Sequence, residues 1–189
     1  MPTLHQKKFI LPNTPYFISG SLKGVMNYIE ECLTDHQACE AIVNKAKWIV
    51  IELLTNAAKH SGMNEVSIDI AINEKELIIE KTDDGNPLRL PVQNTAAQLV
   101  WPLKKIPAGI INIHEDDMHT LYGKIDENGD VDFFAEVKNE SANSFPLENI
   151  TEHFGLLIIT KAADNFTYRY DEKRRINSFK CIINTNIAI

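Results

Sequence analysis

The chain lacks the features that mark several common classes of protein. No stretch approaches the roughly 18 uninterrupted apolar residues of a membrane-spanning helix, and residues 1–8 contain no apolar segment of the kind found in secretion signals. The three cysteines, Cys32, Cys39 and Cys181, are odd in number and form no Cys-x-x-Cys pair. They therefore indicate reduced, buried thiols rather than disulfides or metal ligands. We expect a cytoplasmic protein that does not associate with a membrane.

Positive charge is also scarce. The formal net charge is −7, and the one short basic cluster, at 173–175, falls at a predicted hairpin turn. Non-specific binding to nucleic acid needs a dense run of Lys or Arg, so we expect no nucleic-acid partner. The P-loop motif Gly-x-x-x-x-Gly-Lys-Ser/Thr does not occur in the sequence, which excludes that class of nucleotide-binding protein as far as the motif goes.

The composition is that of a globular domain, with 44% apolar and 24% charged residues in a chain of 189. Helical and alternating apolar patterns follow one another along it. They predict, in order, a strand over 7–12, a helix over 21–33, a long helix that Asp35 caps and that ends at Gly62, hairpin strands over 65–72 and 77–82, a helix over 154–163, and strands over 166–170 and 176–184.

The segment 88–152 is less regular. Its patterns predict a short helix over 95–100, three strands over 108–114, 120–125 and 131–137, a hairpin turn over 126–130, and a mobile loop over 138–152. The whole sequence therefore predicts a single domain, 1–189, with an α/β (α+β) two-layer sandwich fold. We expect a mixed, mainly antiparallel sheet with helices on one face and a strand-rich insertion at 88–152.

The long predicted helix carries a polar stripe on a largely apolar surface. Glu52, Asn56, Lys59 and His60 recur at helical spacing and so share one face. A helix that is apolar over most of its circumference is largely buried, so a carboxylate, a carboxamide and an ammonium there require a reason. The stripe indicates a binding or catalytic site.

Two later stretches carry groups that suit a nucleotide. Asp83 ends a predicted strand, and its carboxylate can accept a hydrogen bond from an exocyclic amine such as that of adenine. Gly85, two residues later, lets the backbone approach a flat ring, although such a turn alone is common. Phe154, Gly155 and Leu156 begin a predicted helix, where free backbone N–H groups can bind an anion.

The stripe resembles a known motif. Glu52-x-x-x-Asn56-Ala57-x-Lys59-His60 is similar to the N box of the GHKL ATPase superfamily, which includes gyrases, histidine kinases and mismatch-repair ATPases. The resemblance implies ATP and Mg²⁺ as cofactors. It also implies that Asn56 binds Mg²⁺ and that Glu52 is the base in an in-line phosphoryl transfer. Lys59 and His60 would contact the phosphates.

Three further stretches match motifs of the same superfamily. Asp83-x-Gly85 resembles the first glycine box, which implies that Asp83 recognises adenine and that Gly85 forms the turn against the base. The stretch with Gly155 and Leu156 resembles the second glycine box, which covers the phosphates, although His153 replaces its first glycine. Ser178, in a stretch similar to Gly-Thr-x-Phe, would assist at the adenine site. The resemblance covers roughly residues 7–87 and 153–186, and the insertion 88–152 would hold an expanded ATP lid.

Three functions are compatible with this resemblance. The first is a stand-alone protein serine/threonine kinase of the anti-sigma-factor type, which would phosphorylate a protein partner and switch partners with its nucleotide. The second is a detached catalytic domain of histidine-kinase type. The third is a nucleotide-sensing interaction module that holds ATP without turnover, which the altered glycine box at His153 favours. Family analogy also allows a homodimer.

Overall fold

The computed structural model describes residues 5–33, 36–93, 95, 98–105, 109–138 and 154–185. Three α-helices are present in this part of the chain, α1 (Ile18–Cys32), α2 (His36–His60) and α3 (Phe154–Ala162), with a 3-10 helix (Pro15–Phe17) before α1. The strands are β1 (His5–Pro12), β2 (Glu65–Ile72), β3 (Glu76–Asp83), β4 (Arg89–Pro91), β5 (Gln98–Val100), β6 (Gly109–Glu115), β7 (His119–Ile125), β8 (Val131–Val137), β9 (Asn165–Asp171) and β10 (Ile176–Asn184). Three predicted features lie outside the described residues: the cap at Asp35, the substitution at His153 and the loop at 138–152 beyond Lys138.

Eight of these strands form one sheet, in the order β1-β2-β3-β10-β9-β8-β7-β6. Every pair of neighbours in it is antiparallel. The predicted α+β class and antiparallel preference are confirmed, but the expectation of a mixed sheet is wrong. The strands of the insertion extend the main sheet through the pairing of β8 with β9 instead of folding apart from it.

The helices pack in sequence, with α1 against α2 and α2 against α3. The apolar face of α2 is fully buried at Ile49, Leu53 and Ala57, and it lies over β3 and β10. Alternate residues of these strands, such as Leu77 and Ile79, are buried to the same degree because side chains of a strand alternate between the two faces of the sheet. The arrangement is consistent with the predicted two-layer sandwich. Within the described residues, no helix has the length and apolar character needed to cross a bilayer.

The predicted helix over 95–100 is wrong. Gln98–Val100 forms strand β5, which pairs with β4 in a small second sheet. A short apolar run fits a strand as well as a helix turn. Here Leu99 of β5 pairs with Leu90 of β4, which is buried in the core. The three following strands and the hairpin turn at 126–130 are confirmed to within a few residues.

The C-terminal end of α2 is fixed by residues distant in sequence. Gly62 has a φ of 74°, the left-handed conformation of a helix cap that was expected there. The side chain of Asn13 donates to the carbonyl oxygens of Ala57 (3.1 Å) and Met63 (2.9 Å). The backbone N–H of Asn86 donates to the carbonyl oxygen of Ser61 (2.8 Å). The turn after β3 is therefore bonded to the end of α2.

Gly85 occupies the point of closest approach between this turn and α2. A Cβ atom at this position would overlap the backbone carbonyl of Ser61. We expect Gly85→Ala to lower the free energy of unfolding by about 1–3 kcal/mol, because rigid backbone must move to make room. Gly24→Ala is the matched control, since Gly24 lies on the exposed side of α1 with no atom in the way. It should raise stability by about 0.5–1 kcal/mol.

Urea unfolding of the wild type and both variants measures these changes. If the Gly85→Ala variant were as stable as the wild type, the turn after β3 would not be packed closely against the end of α2.

Candidate functional site

A cavity of about 370 Å³ lies between α2, β3, β10, the first turn of α3 and the β4–β5 hairpin. Its polar lining comes mainly from Asn56, Lys59, His60, Lys81, Asp83 and Arg89. Its apolar lining comes mainly from Leu53, Leu88, Leu156 and Phe179. Five of the predicted site residues thus meet around one cavity: Asn56, Lys59, His60, Asp83 and Leu156.

Glu52 does not line this cavity, although it shares the polar face of α2. Its carboxylate lies beneath the start of α3, where a Cβ atom placed on Gly155 would be 2.7 Å from Glu52 Oε2. The same point is 3.2 Å from Asn56 Oδ1. The ends of Glu52 and Asn56 therefore converge on Gly155, and the absence of a side chain there lets the helices approach.

The environment of Glu52 alters its acidity. Burial raises the pKa of its carboxyl group above the ordinary value, and the positive charge of Lys59 offsets part of that rise. A carboxyl group with a raised pKa is suited to accept a proton near neutral pH. Such a shift is common at functional sites, so Glu52 stays a candidate base.

Asp83 is held by donors on several sides. Its Oδ1 accepts the backbone N–H of Gly85 (3.0 Å) and the side-chain amide of Asn177 (3.0 Å). Its Oδ2 forms an ion pair with the ammonium group of Lys81. The Asp83 side chain is only 1% exposed, so protein groups surround the carboxylate.

Lys81 is the residue of this site that the sequence analysis missed. It is 4% exposed and lies with its Nζ 4.5 Å from the centre of the Phe179 ring, in a cation–π contact. Burial lowers the pKa of its ammonium group, and Asp83 opposes that change. The signal was present in the sequence, because residues two apart on a strand face the same side.

Asn177 and Tyr168 form a second support for Asp83. The hydroxyl of Tyr168 donates to Asn177 Oδ1 (2.7 Å) and accepts the backbone N–H of Leu88 (3.2 Å). Burial raises the pKa of the Tyr168 hydroxyl, which keeps it protonated as a donor. The ring of Trp101 packs edge-on against Tyr168, with the ring centres 5.5 Å apart. Trp101 and Leu88 of the inserted segment thus contact Tyr168, which in turn bonds to Asn177 beside Asp83.

Ser178 is not brought to the cavity. Its hydroxyl donates to Glu80, whereas the side chain of its neighbour Asn177 reaches Asp83. Successive residues of a strand face opposite sides of the sheet, so Ser178 faces away from the cavity while its neighbour Asn177 faces toward Asp83. The expected role of Ser178 beside the adenine site is not supported by this geometry.

The cavity is electropositive although the chain is acidic. Its described lining contains the cations Lys59, Lys81 and Arg89 and a single carboxylate, Asp83. Such an excess concentrates anionic ligands. The convergence of the Asn56 carboxamide and the Glu52 carboxylate also provides oxygen donors of the kind Mg²⁺ takes, and Mg²⁺ needs only one or two from the protein when phosphates supply others.

Comparisons with known proteins add no family assignment. Neither the protein-family models nor the curated proteins compared with this chain gave a match. The residues around the cavity therefore carry the evidence for function.

Because the pKa of Glu52 is raised, replacing its carboxyl group with a neutral amide should stabilise the folded chain by an amount that depends on pH. Between the ordinary pKa, 4.5, and the higher value in the folded chain, the folded state holds a proton that the unfolded state has lost. Stability contributed by this group therefore falls as pH rises through that window. Glu52→Gln should accordingly be more stable than the wild type at pH 7, and the gain should vanish below pH 4.5.

Chemical denaturation at a series of pH values tests this expectation. Glu127→Gln, at an exposed glutamate in the turn after β7, is the control and should show no such gain. A Glu52→Gln variant that is no more stable at pH 7, or whose advantage grows on acidification, would contradict the account.

Proposed function

We propose that this chain binds ATP together with Mg²⁺ in the cavity between α2, β3 and α3, as a protein of the GHKL type. The observation that carries the proposal is the convergence of distant segments on one electropositive cavity. Asn56, Lys59 and His60 come from α2, Asp83 from the end of β3, and Leu156 from the start of α3. These are the segments in which the sequence resembles three boxes of that superfamily.

The base would occupy the end of the cavity formed by β3 and β10. Asp83 lies there, with its carboxylate held in orientation by Gly85 and Asn177 and paired with Lys81, which must shift before the carboxylate can contact a base. Phe179 and Leu53 supply apolar walls for a flat ring. The close packing of Gly85 on Ser61 fixes the carboxylate relative to α2 and therefore relative to the phosphate groups.

The phosphates would lie toward the end of α2. Lys59 and His60, in the last turn of that helix, and Arg89, from β4, provide positive charge or hydrogen-bond donors. Asn56 would hold Mg²⁺, with Glu52 nearby. When bound, the metal ion neutralises phosphate charge. Arg89 and Gln98 of the β4–β5 hairpin line the cavity, which supports a lid role for that hairpin.

Glu52 favours a phosphotransfer activity. Its raised pKa suits a general base that takes a proton from an attacking hydroxyl group, with Mg²⁺ and cationic side chains stabilising the transferred phosphoryl group. We therefore propose a protein serine/threonine kinase, or a regulatory switch, that acts on a protein partner. The homodimer and the cytoplasmic location stay predictions.

One observation favours a second candidate, a nucleotide-sensing module without turnover. Glu52 lies under Gly155 rather than on the cavity lining, so the start of α3 must shift before an attacking group can reach the carboxylate. In that case bound ATP would change the position of α3, and this movement would signal to a partner without hydrolysis or phosphoryl transfer. Phosphate release separates the two candidates: slow release that Glu52→Gln abolishes supports the kinase, and binding without release supports the sensor.

Asn56→Ala tests the metal site. The variant should bind ATP equally with and without Mg²⁺, whereas the wild type should bind at least about tenfold more tightly with Mg²⁺, because the carboxamide is the metal's protein ligand. Titration calorimetry of ATP with and without Mg²⁺ measures both. Asn44→Ala is the matched control, since Asn44 is exposed elsewhere on the same helix. Mg²⁺-dependent binding that survives in Asn56→Ala would refute the assignment.

A further inference from the structure

The carboxylate that a base would contact is occupied by another part of the same chain. Asp83 Oδ1 accepts hydrogen bonds from the backbone of Gly85 and the side chain of Asn177. The other oxygen, Oδ2, is buried and forms an ion pair with the ammonium group of Lys81. A base can therefore contact this carboxylate only after the ammonium group has moved.

The ammonium group of Lys81 makes the contacts that the proposed function assigns to a base. It pairs with the Asp83 carboxylate, as the exocyclic amine of adenine would, because both groups are hydrogen-bond donors. Its Nζ also lies 4.5 Å from the centre of the Phe179 ring, over the face on which a flat ring would pack. Lys81 and a base would therefore compete for the same place.

Lys81 can leave this place without unfolding of β3. Its side chain lines the cavity, as do Lys59, His60 and Arg89, which are exposed, so the cavity opens to solvent on their side. The four-carbon stem of a lysine is flexible and can carry the ammonium group there while the backbone stays in the sheet. Burial lowers the pKa of this ammonium group, so its charge is disfavoured where it lies and movement toward solvent relieves part of that cost.

We propose that Lys81 is an autoinhibitory plug of the base site, which holds Asp83 and covers the face of Phe179 until a nucleotide displaces it. The proposal rests on the proposed nucleotide-binding function and specifies how that site is regulated. Stability alone does not account for the plug, because apolar residues of similar volume commonly replace a buried ion pair at little cost. The plug lowers the affinity of the site, since only the fraction of molecules with Lys81 displaced can bind a base.

Adenosine is the probe that isolates the plug. It carries no phosphate group, so loss of a cation cannot weaken its binding through phosphate contacts. Lys81→Met removes the ammonium group and keeps a flexible side chain. In titration calorimetry this variant should bind adenosine at least about tenfold more tightly than the wild type, because nothing competes with the base for Asp83. Lys81→Arg, which can still pair with Asp83, should bind adenosine no more tightly than the wild type.

Lys180→Met is the matched control, since Lys180 follows Phe179 on β10 and so faces the opposite side of the sheet. It should leave the affinity for adenosine unchanged. Adenosine binding by folded Lys81→Met that is equal to or weaker than that of the wild type would overturn the plug.

A second measurement uses the wild type and decides the matter if Lys81→Met does not fold. Protons over the face of an aromatic ring resonate upfield because of the ring current, so the Cε protons of Lys81, next to the Phe179 ring, report on the plug in a chain with isotope-labelled lysine. Saturating ATP with Mg²⁺ should shift this signal toward the ordinary position of lysine. ATP that binds and leaves the signal in place would overturn the plug but not the proposed function. If neither the wild type nor folded Lys81→Met binds ATP, the proposed function fails and the plug fails with it.

Discussion

The contact between the turn after β3 and the end of α2 is the constraint on which the rest of the site depends. Gly85 packs so closely on the carbonyl of Ser61 that only glycine fits without movement of the backbone. The N–H of Asn86 satisfies that same carbonyl, which a helix end would otherwise leave without a partner. Because of this contact, the carboxylate of Asp83 and the polar face of α2 have a fixed separation, and a cavity persists between them.

Ionisable groups in and beside the cavity are buried, and burial disfavours their charged forms. Lys81 and Asp83 are both nearly inaccessible, and each compensates the other. Glu52 has a raised pKa for the same reason, with partial relief from Lys59. Apolar residues would fill these places with less desolvation, so their presence is explained better by a ligand than by stability. The excess of cations over carboxylates around the cavity indicates that such a ligand is anionic.

Much of the fold was predictable because its elements have strong local signals. The stripe on α2, the alternation of β2 and β3, and the glycine that ends α2 each follow from neighbours in sequence. Other features were not predictable because they depend on distant contacts. The pairing of Val131 with Tyr168, which joins the inserted strands to the main sheet, has no local signature. The strand at 98–100 is equally non-local, because its partner is β4.

The candidate site likewise has features that were predictable from the sequence and features that depend on distant contacts. The meeting of Asn56 with Asp83 was expected from the motifs, whereas the burial of Glu52 beneath Gly155 depends on how α3 packs on α2. Two side-chain placements could have been predicted from alternation. Alternation along β3 places Lys81 beside Asp83, and alternation along β10, in phase with the buried Cys181, points Asn177 rather than Ser178 toward it.

The most direct test of the central claim is a nuclear magnetic resonance titration of the isotope-labelled chain with ATP and Mg²⁺. The account predicts shifts of backbone amide signals at three places distant in sequence: the last turns of α2, Asp83 to Gly85, and the first turn of α3. The turn at 73–75, at the opposite end of β3, should not respond, since a strand of this length separates it from the cavity by roughly 20 Å. Saturating ATP that leaves all three places unchanged, or that shifts the 73–75 turn instead, would contradict the account.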